Sequence, residues 1–144
     1  LDKPVTSRVA NLLTVALLFQ LMMGAMLRHR DSMLFVHITM AAVVLFAALT
    51  AGARAWGLHA SRKPIYRAGL GILLAVLVQV TLGVLALVFR SGPTGDPTTI
   101  GALITTAHQA NGALLLALST VMTVWTWRLL KPAPSVAAPA LSPA

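Results

Sequence analysis

The chain has no cysteine and only three acidic residues, Asp2, Asp31 and Asp96. The first absence excludes disulfides, thiolate-held zinc, iron–sulfur clusters and thiol catalysis. The second argues against a closed zinc site, which usually takes three or four ligands and commonly uses Cys or carboxylate. Charge of either sign is scarce: 10% of residues are charged against 58% hydrophobic, too few to coat a water-soluble fold of 144 residues. A lipid bilayer is the solvent this composition implies, and the length fits one domain. The formal charge of +8 comes from cations placed between apolar blocks, not from a patch interleaved with aromatics, so nucleic acid is not an expected partner. Leu1 is followed by no basic region with a cleavage site, and no signal peptide is expected.

What the chain has in abundance is long uncharged runs: Val9 to Leu27, Ser32 to Ala53, Ala68 to Phe89 and Pro97 to Trp127. About twenty helical residues cross a ~30 Å hydrocarbon layer, so each run predicts one span, the fourth beginning near Gly101. The expected fold is an all-α membrane protein, a four-transmembrane-helix bundle occupying residues 1–131. Loops are expected at Lys63-Pro64 and across Ser91 to Pro97, and residues 132–144 read as a flexible Pro/Ala-rich tail. Lys3, Arg8, Arg54, Arg62, Lys63, Arg67, Arg128 and Lys131 fall at one end of the bundle, whereas Arg28, Arg30 and Arg90 fall at the other. The positive-inside rule then puts both termini in the cytoplasm, with Trp56, Tyr66, Trp125 and Trp127 as an interfacial belt on that side. His59, in the loop there, is expected to be solvated.

The spans repeat. Gln20-Leu21-Met22-Met23-Gly24 precedes Arg28 in span one, and Gln79-Val80-Thr81-Leu82-Gly83 precedes Arg90 in span three. Each pattern is followed by a helix with one His in its outer part, His37 in span two and His108 in span four. The bundle therefore reads as two repeated hairpins related by rotation about the membrane normal, an arrangement that sets equivalent residues opposite one another. Both histidines are expected at one depth, with a small residue one turn deeper on the same face, Ala41 after His37 and Gly112 after His108.

Two imidazoles from facing helices match the axial ligation of a six-coordinate haem. The competing reading is a pair of packed, hydrogen-bonding membrane histidines, although ionisable residues in a span point to function by default. Arg28 and Arg90 are the preferred propionate contacts, and His29 is a headgroup or propionate contact. Gln109 either caps a propionate or joins spans. Gln20 and Gln79 read as interhelical hydrogen-bonding residues or as the lining of a cofactor cavity, and the methionines as flexible packing.

From residue 9 to about 130 the chain resembles one four-helix half of the haem A synthase family. The matching pieces are Gln20 to His29, His37, Val78 to Leu85 and Thr106 to Leu116, in that order. The resemblance is closer to the cofactor-holding half and implies haem b, ligated by His37 and His108. In that family's substrate half a Glu stands one turn before the first axial His. Here Met33 and Leu34 occupy those positions, and the outer Cys pair of many members is missing.

The expectation is a b-type cytochrome module of a bacterial cytoplasmic membrane, its haem site near the outer face, serving electron transfer or haem handling. Other membrane subunits or a second copy are its expected partners. The alternatives are a half-length haem A synthase active only as an assembly, and a haem-free accessory subunit. Catalysis by the isolated chain is not expected, because the spans carry no carboxylate. The topology is checked with reporter fusions: alkaline phosphatase should be inactive when fused after Ala144 and active when inserted at Gly92.

Overall fold

The structure, a computed structural model, describes residues 3–27, 33–89 and 98–130. Four helices account for nearly all of them: α1 (Lys3–Leu27), α2 (Leu34–Leu58), α3 (Lys63–Val88) and α4 (Thr99–Leu129). Each is long and apolar enough to cross a membrane, so the chain is an integral membrane protein with an all-α fold. The helices run past the uncharged runs into the flanking charges, as the ends of spans do where the backbone reaches the interface. Lys63 and Pro64, expected in a loop, instead form the first turn of α3, where Pro lacks only an N–H that has no intrahelical partner anyway. α4 starts at Thr99, capped by Thr98, whose Oγ1 accepts from Gly101 N–H at 3.0 Å. The expected tail 132–144 and the expected loop across Ser91 to Pro97 lie outside the described residues.

The helices form a square in chain order. The backbone of α1 lies against α2 and α4 and that of α3 against α2 and α4, while the diagonal pairs, α1 with α3 and α2 with α4, keep their backbones apart. Packing is uneven along the bundle. Near the end that carries Lys3 and Leu130, hereafter the termini end, Leu13, Ala48, Ile65, Ile72, Leu115 and Met122 are fully buried in one continuous core. Toward the far end that core stops. Among the described residues beyond Gln20, before Val44, beyond Val76 and before Gly112, only Met23 and Gly101 are buried.

Two contacts set the helix positions. α2 and α3 cross where Gly52 and Gly69 meet: a Cβ on Gly69 would lie 2.5 Å from Ala55 Cβ and 2.9 Å from the Gly52 carbonyl oxygen. In lipid, where no hydrophobic effect draws helices together, such backbone approach supplies the dispersion contact. Between this crossing and the far end, α2 and α3 leave an apolar groove of about 360 Å³ lined by Leu45, Leu49, Leu73, Val76, Leu77 and Val80. α1 and α4 meet through hydroxyls. Thr14 Oγ1 donates to its own Ala10 carbonyl at 3.1 Å, which uses its one hydrogen, and so accepts from Ser119 at 2.7 Å and Thr123 at 3.1 Å.

Hydroxyls facing outward are satisfied locally. Thr39, Thr50, Thr81, Thr106 and Thr120 each donate to the carbonyl four residues earlier, which is how a lipid-facing hydroxyl avoids being left unpaired. His59 departs from its expected solvated state: it is only 8% exposed and its Nε2 lies 3.1 Å from Thr6 Oγ1. The α2–α3 turn, closed by Arg62 N–H donating to the His59 carbonyl at 2.8 Å, tucks the ring under the first turns of α1. Gly69→Leu should lower stability by roughly 1–3 kcal/mol through overpacking. Gly57→Ala, with nothing within 4 Å of the added methyl, should not. Thermal midpoints in detergent check both.

Candidate functional site at the histidine pair

His37 lies in the first turn of α2, whereas His108 lies more than two turns into α4. They nonetheless sit at one level, because α4 is the longer helix by about a turn and a half at its far end. Their ring centroids are 6.5 Å apart with planes at 72°. The two residues come from diagonal helices whose backbones stay apart, so the rings meet across the middle of the square.

Each ring is seated by the preceding helix in the same way. In the first hairpin Gly24 faces the His37 ring, where an added Cβ would lie 3.3 Å from Cε1. In the second Gly83 faces the His108 ring, with the corresponding distance 3.2 Å. One turn away from each glycine stands a glutamine. Gln20 Nε2 donates to the His37 carbonyl at 3.0 Å and lies 3.2 Å from Nδ1 and 3.3 Å from Nε2 of its ring. Gln79 Nε2 lies 3.3 Å from His108 Nε2. A Gln four residues before a Gly thus places an amide against an imidazole, with the glycine making room for the ring.

The hairpins differ in what holds the glutamine. Asn111, one turn from His108 on α4, donates its Nδ2 to Gln79 Oε1 at 2.7 Å and to the Ala75 carbonyl at 2.9 Å. Because Asn111 takes the oxygen of the Gln79 amide, the NH2 of that amide must face His108. This favours the neutral tautomer with the proton on Nδ1 and the Nε2 lone pair accepting from that amide, so Nε2 is engaged by Gln79 in this arrangement and would bind a metal only in exchange for that contact. Buried His108 Nδ1 and Gln20 Oε1 have no hydrogen-bond partner among the described residues.

Of the other expected site residues, Gly112 is buried against Gln79, where a Cβ would lie 3.3 Å from Nε2, so it admits the amide. Ala41 is exposed one turn from His37, and Gln109 is exposed beside His108. Arg28, His29 and Arg90 lie outside the described residues. No group of three or more His, Asp or Glu capable of holding an ion occurs among the described residues. The donor set is therefore two imidazoles. An ion bound by both requires two bonds of about 2 Å, plus about 1 Å from each nitrogen to its ring centre, or roughly 6 Å between centroids. The centroid separation is of that size, both ring nitrogens of His37 and Nε2 of His108 lie within 3.3 Å of the Gln20 and Gln79 amides, and the half-buried rings stand beyond the level where the core stops.

The sequence points to the histidine pair, the glutamines and the repeated Gln-to-Gly spacing, but not to the glycines as seats for the rings or to Asn111 as the partner of Gln79. The readable signal for the seats was the shared Gln-to-Gly spacing. No protein-family model, curated protein or solved structure matches the chain.

Asn111→Leu would strip Gln79 Oε1 and the Ala75 carbonyl of their donor in an apolar setting. A loss of about 1 kcal/mol is expected, the usual scale for interhelical hydrogen bonds in membranes, as measured by unfolding in mixed micelles.

Proposed function

We propose that this chain is a membrane b-type cytochrome module in which His37 and His108 are the two axial ligands of one haem b. The observation that carries the reading is the 6.5 Å separation of two imidazoles presented by diagonal helices, each seated on a glycine and held by an amide. The resemblance of Gln20 to His29, His37, Val78 to Leu85 and Thr106 to Leu116 to a haem A synthase half supports the same assignment.

In this reading iron held by two imidazoles passes single electrons while offering no open position. The residues of this chain do the rest: Gly24 and Gly83 admit the rings, and Gln20 and Gln79 orient them. Arg28, His29 and Arg90, which follow α1 and α3 in sequence, are the cationic groups available to propionates at the far end. Six cations of the termini end, Arg8, Arg54, Arg62, Lys63, Arg67 and Arg128, support a cytoplasmic position for that end, with the haem near the outer face of a bacterial cytoplasmic membrane. Electron transfer or haem handling is the function, with another membrane subunit or a second copy as partner.

The test is the reduced-minus-oxidised spectrum of the chain purified after expression with ample haem. The wild type should show the sharp α band of a low-spin bis-imidazole haem. His37→Ala and His108→Ala should each abolish that signature, while His59→Ala, at the opposite end, should keep it. A wild type with no Soret band would favour a haem-free accessory subunit. Haem A formed from haem O under oxygen would favour the half-length synthase.

A further inference from the structure

The α2–α3 hairpin joins its apolar groove to a polar end along one continuous face. On α3, Arg62, Tyr66, Gly69, Leu73, Leu77 and Val80 recur every three or four residues, and on α2 so do Leu45, Leu49, Gly52 and Trp56. The two stripes run side by side in opposite directions. They touch at the Gly52–Gly69 crossing, border the groove on the far side of it and carry Trp56, Tyr66 and Arg62 on the termini side.

All six side chains that line the groove are aliphatic. Val76 is buried at its floor, while Leu49, Leu77 and Val80 are exposed at its rim, so it opens toward lipid. Left unfilled, it would deprive its lining of dispersion contacts, and in a bilayer the available filler is hydrocarbon. An apolar cavity of about 150 Å³ takes up a benzene ring; at that density the groove's 360 Å³ holds about fourteen carbons, most of an acyl chain.

At the termini end the same face changes chemistry. Trp56 and Arg62 are exposed and Tyr66 is half-buried. Indole and phenol rings settle at headgroup level, the phenol with a hydroxyl to donate, and a guanidinium forks onto phosphate oxygens. Lys63 and Arg67, on the first two turns of α3, add positive charge, and no Asp or Glu occurs among the described residues to neutralise it. From Arg62 to Leu77 is about 22 Å along α3, half of the ~40–45 Å of a bilayer with its headgroups and therefore the depth of one leaflet.

From this match of charge and of length, we infer that the α2–α3 hairpin binds one anionic phospholipid of the leaflet at the termini end. Its phosphodiester lies on Arg62 and Tyr66, its glycerol against Trp56 and one acyl chain in the groove. The chain fills the space between the helices as far as Val80, and so supports the turn of α3 from which Gln79 reaches His108. This binding does not depend on what the histidine pair holds.

The test is native mass spectrometry of the full chain in detergent, with phosphatidylglycerol and phosphatidylcholine of identical acyl chains. The wild type should retain one phosphatidylglycerol in preference to phosphatidylcholine. Arg62→Gln should weaken phosphatidylglycerol about fivefold, the worth of one cation at an anionic headgroup, and leave phosphatidylcholine unchanged. Leu77→Trp, which fills the groove from its exposed rim, should weaken both lipids. Arg128→Gln and Leu103→Trp, the same kinds of change at exposed positions on α4, should weaken neither. Added phosphatidylglycerol should raise the thermal midpoint of the wild type but not that of Leu77→Trp. Val80→Phe takes the place of Leu77→Trp should that variant not fold.

Equal retention of the two lipids would overturn the inference. So would an effect of Arg128→Gln as large as that of Arg62→Gln, which would reduce the binding to general attraction by the +8 charge. Loss on Arg62→Gln with no effect of a groove variant would overturn the seating of the chain. A dimer that a groove variant dissociates would make the groove an interface between two copies and overturn the lipid assignment.

Discussion

Every polar side chain inside this bundle must find a partner, because hydrocarbon offers none and an unpaired amide or hydroxyl there costs several kcal/mol. The partners lie on other helices, so the same demand sets register. Thr14 with Ser119 and Thr123 fixes α1 against α4, Gln20 with His37 fixes α1 against α2, and Asn111 with Gln79 and Ala75 fixes α4 against α3. Thr6 with His59 ties the α2–α3 turn to α1. Sliding any helix by one turn would separate at least one of these pairs. Apolar packing alone resists such a slide weakly, since lipid tails and neighbouring side chains are equally apolar.

The division of the bundle into a packed end and a site end follows from which residues fill it. Small residues, Gly52, Ala55 and Gly69 above all, draw α2 and α3 together near the termini end, and the full-size side chains of Leu13, Ile65, Ile72, Leu115 and Met122 close the middle there. At the other end the glycines Gly24 and Gly83 make room for rings, and the residues between the diagonal helices are imidazoles and amides instead of aliphatic side chains. One bundle therefore combines a rigid base with a polar layer whose geometry that base fixes, which is the division of labour a ligand site needs.

Duplication explains the site's symmetry, and the hairpins differ beside the histidines at Met40 against Asn111 and at Ala41 against Gly112. A repeat delivers the same side chain to both sides of an axis, and Gln, Gly and His recur in both hairpins at corresponding places. The difference between Met40 and Asn111 lies at the residue that meets a neighbour's amide: Asn111 donates to Gln79 Oε1 and the Ala75 carbonyl, and a thioether at Met40 has no hydrogen to donate.

Much of this was legible in the sequence because it depends on local rules. Span number follows from run length, and the packing of equivalent histidines at one level follows from the order Gln, Gly, Arg, His repeated twice. What the sequence left open depended on how each helix is rotated and crossed. The spacing puts Gly24 one turn from Gln20, but only the α1–α2 approach turns that glycine toward His37 and not toward lipid. Asn111 and Gln109 are both side-chain amides two residues apart; helix rotation turns the first, half-buried, toward α3 and exposes the second. His59 looked like a loop residue in water until the tight α2–α3 turn folded it beneath α1. The sequence by itself determined four spans, their pairing into hairpins and the two histidines, because burial in lipid and helical periodicity act within a segment. Only the tertiary structure decided which amide meets which ring and which glycine seats it, because those contacts join residues far apart in the chain whose meeting depends on the angles between helices.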